Sequence, residues 1–120
     1  MKIFDTLKQN AQEALLNAPK GENTQVILAL TSEGAEYTEV IFDALTHEKL
    51  DEKKLVGRLE ADGNPRISHI LCMWHGGSID LPSFEMRKML LELNEDNANS
   101  DIYVLTDNGY STVKLSKTIK

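Results

Sequence analysis

The feature that most constrains the fold is the apolar run Ile67–Trp74, its stop at Gly76-Gly77, and the pattern that follows. Ile67, Ile70, Leu71, Cys72, Met73 and Trp74 place apolar groups on both sides of an extended chain. A strand of that kind must be covered on both faces. Beyond the glycines, Met86, Met89, Leu90 and Leu93 recur at i, i+3, i+4 and i+7, which predicts a helix over 82–93 with one apolar face. Pro82 falls in its first turn, where a missing N–H costs nothing. A further apolar run follows at 102–106. Strand, glycine turn, helix and strand make a βαβ unit, whose ligands sit beyond the strand's C-terminal end near the helix N-terminus. That places a site around His75, Pro82, Ser83 and Met86.

The remaining elements follow from periodicity. Residues 2–18 read as an amphipathic helix with Phe4, Leu7, Ala11, Ala14, Leu15 and Ala18 on one stripe, ended by Pro19 and Gly21. Gln25–Thr31 is apolar on both faces and reads as a covered central strand. The short turn Ser32-Glu33-Gly34 joins it to a strand over 37–42, as a hairpin. A second helix over 51–61 buries Leu55, Val56 and Leu59, carries acidic residues in its first turn and stops at Asp62-Gly63-Asn64-Pro65. Residues 94–100 read as a polar loop without periodicity. Asp107-Asn108-Gly109 joins strands over 102–106 and 111–115, with Asn-Gly supplying positive φ. The order α-β-β-α-β-α-β-β gives one α/β domain over residues 1–120.

Composition narrows the partners. A net charge of −6 argues against a nucleic-acid backbone, which needs surplus Lys and Arg. The single cysteine, Cys72, rules out an internal disulfide and suits a reducing cytoplasm, the expected location. No apolar run approaches the length of a membrane span. There is no Gly-x-Ser-x-Gly elbow, and Gly76-Gly77 is too short to cradle a phosphate. His69, Cys72 and His75 recur every three residues, but on a strand Cys72 points away from the two histidines. Cys72 therefore reads as core. His75, at the strand end, is either a ligand-facing group or a polar residue where the strand surfaces. Trp74 reads as core or interface.

Two helix starts then carry a resemblance. Leu50-Asp51-Glu52-Lys53 and Pro82-Ser83-Phe84-Glu85-Met86-Arg87 resemble, in place and separation, the Cys-Ala-Glu-Arg and Pro-Cys-x-x-Cys-Arg motifs of the small zinc-dependent cytidine deaminases. Leu30-Thr31-Ser32-Glu33-Gly34 with Tyr37-Thr38 is similar to the family's first hairpin, and Val104 through Asp107-Asn108-Gly109-Tyr110 to Leu115-Ser116 to its last. The resemblance spans nearly the whole chain. It implies a three-layer α/β/α cytidine deaminase-like fold with a five-stranded mixed sheet, the helices at 51–61 and 82–93 on one face, and their N-termini adjacent. It also implies a homo-oligomer, with Phe42, Trp74, Phe84 and the methionines of 82–93 as contact residues, and a small nucleoside-like ligand.

The departures bear on chemistry. In the family, thiolates hold a zinc ion that activates water, and a glutamate shuttles protons. The corresponding ligand positions here are Leu50, Ser83 and Met86. Leucine has no donor, serine is a poor zinc ligand and a thioether is far weaker than a thiolate. Only Glu52, at the proton-shuttle position, survives in kind, and it also reads as a first-turn carboxylate facing the helix dipole. The family's recognition segment is matched by Ile41-Phe42-Asp43-Ala44, where Asp43 alone keeps acidic character. The expectation is a degenerate member with no metal and no cofactor, a non-catalytic binding or assembly module in which Glu52 is a vestigial shuttle. Asp43, His75 and Ser83 are its candidate ligand-binding residues. Two alternatives stand: an active hydrolase or deaminase with a site rebuilt from Glu52, His75, His47 or Asp43, and an unrelated small acidic α/β protein-binding inhibitor.

Overall fold

The structure is a computed structural model that describes residues 2–18, 24–42 and 48–119. Pro19, Gly21, Asp43, Ala44 and His47 lie outside the described residues. In chain order the elements are α1 (Lys2–Asn17), β1 (Gln25–Thr31), β2 (Glu36–Ile41), α2 (Leu50–Ala61), β3 (Ile67–Trp74), α3 (Phe84–Leu93), β4 (Asp101–Thr106) and β5 (Gly109–Lys114). Short 3₁₀ helices cover Glu95–Asn99 and Leu115–Thr118.

The strands form one mixed five-stranded sheet in the order β2-β1-β3-β4-β5. β1 is flanked on both sides by antiparallel partners, so that Leu28 lies between Thr38 of β2 and Leu71 of β3. β3 and β4 run parallel, with His69 opposite Asp101 and Ile70 opposite Ile102. A parallel pair needs a crossover, which α3 and the 3₁₀ helix after it supply.

Alternation along the central strands explains why they are apolar on both faces. Val26 and Leu28 of β1, Leu71 and Met73 of β3, and Tyr103 of β4 bury against Phe4, Leu7 and Ala11 of α1. Ile27, Ala29, Ile70, Cys72 and Ile102 face the other way, against Leu55 and Leu59 of α2 and Met86 and Leu90 of α3. The result is a three-layer α/β/α sandwich with α2 and α3 together on one face, as the sequence predicts.

Three local expectations are corrected. Pro82 is not in the first turn of α3, because the Ser83 side chain accepts the Met86 N–H and so makes Ser83 the N-cap. The Asn-Gly turn does not place positive φ on both residues. β4 and β5 pair up to Thr106 and Gly109, Asp107-Asn108 form the loop, and of these residues only Gly109 has positive φ, at 103°. The Thr106 hydroxyl holds this turn by donating to the Gly109 carbonyl and accepting the Asn108 N–H.

The third correction is the polar segment 94–100, which is an ordered 3₁₀ helix built around a buried side chain. Asn94 caps it by accepting the Asp96 N–H. Asn97 has no exposed surface. Its Oδ1 accepts the Ile67 N–H (2.8 Å), and its Nδ2 donates to the carbonyls of Pro65 (2.9 Å) and Leu90 (2.8 Å). One amide thus ties the start of β3 to the end of α3. Ser100 adds a hydroxyl donated to the Ile67 carbonyl. Asn97→Ala leaves three backbone groups without this partner, two of them in buried bonds, and is expected to destabilise the protein by about 3 kcal/mol in urea titrations. Asn97→Asp should also be strongly destabilising, because it turns both donated bonds into oxygen–oxygen contacts.

Candidate functional site

The N-terminal ends of α2 and α3 meet at one edge of the helical layer. α2 is entered through Lys49, whose backbone is left-handed at φ 53° and whose carbonyl accepts the Lys53 N–H (3.0 Å). Asp51 in the first turn accepts the Phe42 N–H (2.9 Å), which ties the end of β2 to the start of α2. The next residue, Glu52, points inward and has no exposed surface.

Ser83 reaches this carboxylate from α3. Its hydroxyl oxygen lies 2.9 Å from Oε2 and 3.0 Å from Oε1 of Glu52, so its single proton is shared across both oxygens. The same oxygen accepts the Met86 N–H at 3.0 Å. Arg87 fixes the loop behind this contact, donating to the carbonyls of Pro82 (3.0 Å) and Thr118 (2.9 Å). Its guanidinium lies over the Phe84 ring. Arg87 is therefore a half-buried tie between the start of α3 and the C-terminal 3₁₀ helix.

Beneath the pair, on β3, lies the buried thiol of Cys72. Burial first, and then the negative charges of Glu52 and Asp80, push its pKa well above the ordinary thiol value. The sequence placed Cys72 in the core, and it is there. What the sequence did not reveal is that Glu52 lies within its electrostatic reach. Strand parity was the available signal, since Cys72 and Ile70 share the face that carries α2 and α3.

The site expected around His75, Pro82, Ser83 and Met86 divides between two faces. Ser83 joins Glu52. His75 is exposed, donates its backbone N–H to Thr24, and lines a cavity of about 360 Å³ with Leu15, Leu16 and Met73 on the α1 side of the sheet. Neither Glu52 nor Ser83 lines that cavity. Beside the helix starts lies a shallow groove of about 410 Å³, lined by Lys49, Lys53, Phe84, Glu85, Lys88 and Met89 among others.

The side chains at the three implied ligand positions do not fit a zinc ion. Leu50 is 54% exposed and has no donor atom. Met86 is fully buried and packed in the core with Leu55 and Leu90. The Ser83 oxygen is engaged by Glu52 and by the Met86 N–H. Among the described residues, no three His, Cys, Asp or Glu side chains gather as a metal site.

Comparison with solved structures places the fold. The chain superposes on the cytidine deaminase from Mycobacterium leprae with a TM-score of 0.71 at 24% identity, covering 96% of this chain and 95% of that one. The cytidine deaminase from Mycobacterium tuberculosis gives 0.69 at 21% identity, over 96% of this chain and 92% of that one. The enzyme from Burkholderia pseudomallei gives 0.68 at 13% identity, over 94% and 93%. The fold is cytidine deaminase-like. No protein-family model matches the sequence, and no curated protein matches it.

The buried thiol yields a direct check. Native protein should resist iodoacetamide at pH 8.5, while the urea-unfolded chain is alkylated once at Cys72. Because the folded thiol stays protonated where the unfolded one ionises, stability should fall as pH rises past about 8.5, as read from urea midpoints. Cys72→Ser should flatten that slope.

Proposed function

We propose that this chain is a cytidine deaminase-like protein that has lost the zinc chemistry and serves as a non-catalytic binding or assembly module. The observation that carries the reading is the Glu52–Ser83 contact. The carboxylate at the proton-shuttle position is hydrogen-bonded to the very residue that stands where the resemblance implies a thiolate. With leucine and methionine at the other two positions, the donor set offers nothing to lower the pKa of a water or to stabilise charge on a substrate. Each of those effects supplies several kcal/mol in metal-assisted hydrolysis.

The ligand class to test is a pyrimidine nucleoside, because the structural neighbours are cytidine deaminases. Purified protein is expected to release no ammonia from cytidine or deoxycytidine, with or without added zinc. Ammonia release that depends on metal and is abolished by Glu52→Gln would overturn the reading in favour of an active enzyme with a rebuilt site.

Assembly is supported by exposed apolar groups gathered at the same edge. Phe42 directly follows β2 and is 52% exposed, Leu50 opens α2 at 54%, and Phe84 opens α3 at 50%. The Phe42–Asp51 and Glu52–Ser83 bonds bring these three element ends together. Such a cluster fits a self-association surface. Light scattering at micromolar concentration is expected to return a dimer or larger, and Phe84→Asp to lower the mass. A monomer mass for the unaltered protein would remove this part of the proposal.

A further inference from the structure

We infer that Glu52 and Ser83 form a structural brace that cross-links α2 to α3, in the place where the resemblance implies a bound ion. This rests on the reading of the site as non-catalytic.

Four observations converge on it. Glu52 is completely buried, and a carboxylate withdrawn from water must be met by hydrogen bonds and favourable charge. It stands in the first turn of α2, where the positive end of the helix dipole favours a negative charge. Its partner is the N-cap of a second helix, so the carboxylate lies against two positive helix ends. Finally, the bonds run in series: Met86 N–H to Ser83 Oγ, and Ser83 O–H to the Glu52 oxygens. Donation by Met86 polarises the hydroxyl and strengthens its bond to the carboxylate, as in other chains of hydrogen bonds. The hydroxyl's single proton is thereby committed to Glu52.

The brace joins positions 31 residues apart, on two helices whose buried apolar faces meet in the cluster of Met86 and Leu55. Burial keeps the Cys72 thiol beneath it protonated, so the thiol adds no negative charge beside Glu52.

The test separates bracing from simple capping. Aspartate caps helices as well as serine does, so a Ser83 that only caps would tolerate Ser83→Asp. The brace predicts otherwise, because Ser83→Asp sets a second carboxylate against Glu52. Urea denaturation at pH 7 is expected to show a rise of tenfold or more in the unfolding constant of Ser83→Asp. The double variant Ser83→Asp/Glu52→Gln should regain most of that loss, since the amide can donate to the new carboxylate. Glu52→Gln and Ser83→Ala should together be less damaging than the product of their separate effects. Ser83→Ala removes the donor, while Glu52→Gln leaves a neutral and weaker acceptor; both are milder than Ser83→Asp, so a Ser83→Asp that does not fold leaves this cycle to decide. Zinc and chelator should leave the melting temperature of the unaltered protein unchanged.

A Ser83→Asp variant as stable as the parent, or a Glu52→Gln/Ser83→Ala cycle that is purely multiplicative, would overturn the brace. A melting temperature lowered by chelator would do the same. Ammonia release by the unaltered protein would instead overturn the functional reading, and the cycle would still measure the coupling.

Discussion

The sheet's two central strands cannot be left bare on either side. β1 and β3 pair with each other and carry large apolar groups above and below, so both faces demand cover. Everything else answers that demand. α1 closes one face through Phe4, Leu7 and Ala11, while α2 and α3 close the other through Leu55, Leu59, Met86 and Leu90. Because two helices of about three turns each must lie side by side over one face, their ends come into register at the edge of the layer. The candidate site is a by-product of that packing.

The site's character follows from which side chains stand at that edge. A buried carboxylate lies between helix N-termini, where the dipoles favour it, with the Ser83 hydroxyl among its partners. The hydroxyl that meets it comes from the other helix, so the contact ties α2 to α3. The groove beside it mixes apolar, basic and acidic side chains: Phe84 and Met89, Lys53 and Lys88, Glu85 and Glu92.

The order of elements was legible because periodicity changes clearly along the chain, from two-faced apolar runs at Gln25–Thr31 and Ile67–Trp74 to the 3.6-residue stripe of α3. The adjacency of the two helix starts was legible only through the family resemblance, since no spacing rule links Glu52 to Ser83. Three features escaped. The 3₁₀ helix after α3 has no apolar pattern, because its stability comes from one amide making three long-range bonds to backbone. Pro82 reads as a helix opener in isolation, but the competing cap at Ser83 lies one residue on and wins through its bond to Met86. His75 looks like a neighbour of Ser83 in sequence, yet it continues the parity of Leu71 and Met73, which face α1, and so lies on the other side of the sheet.

Asn97 has a further meaning when distances along α3 are considered. Ten residues of helix span about 15 Å. At the far end of that span, the amide grips the carbonyl of Leu90 and the first N–H of β3 together. α3 is therefore clamped like a rod held at its tail, unable to slide along the sheet or to rotate by a residue. The position of Ser83, at the other tip, is thus measured off from a point remote from it. A helix docked by greasy contacts alone could creep by a fraction of a turn, and the hydroxyl would then miss its carboxylate. The short 3₁₀ helix after α3 thus serves as the ruler for that helix's opposite end.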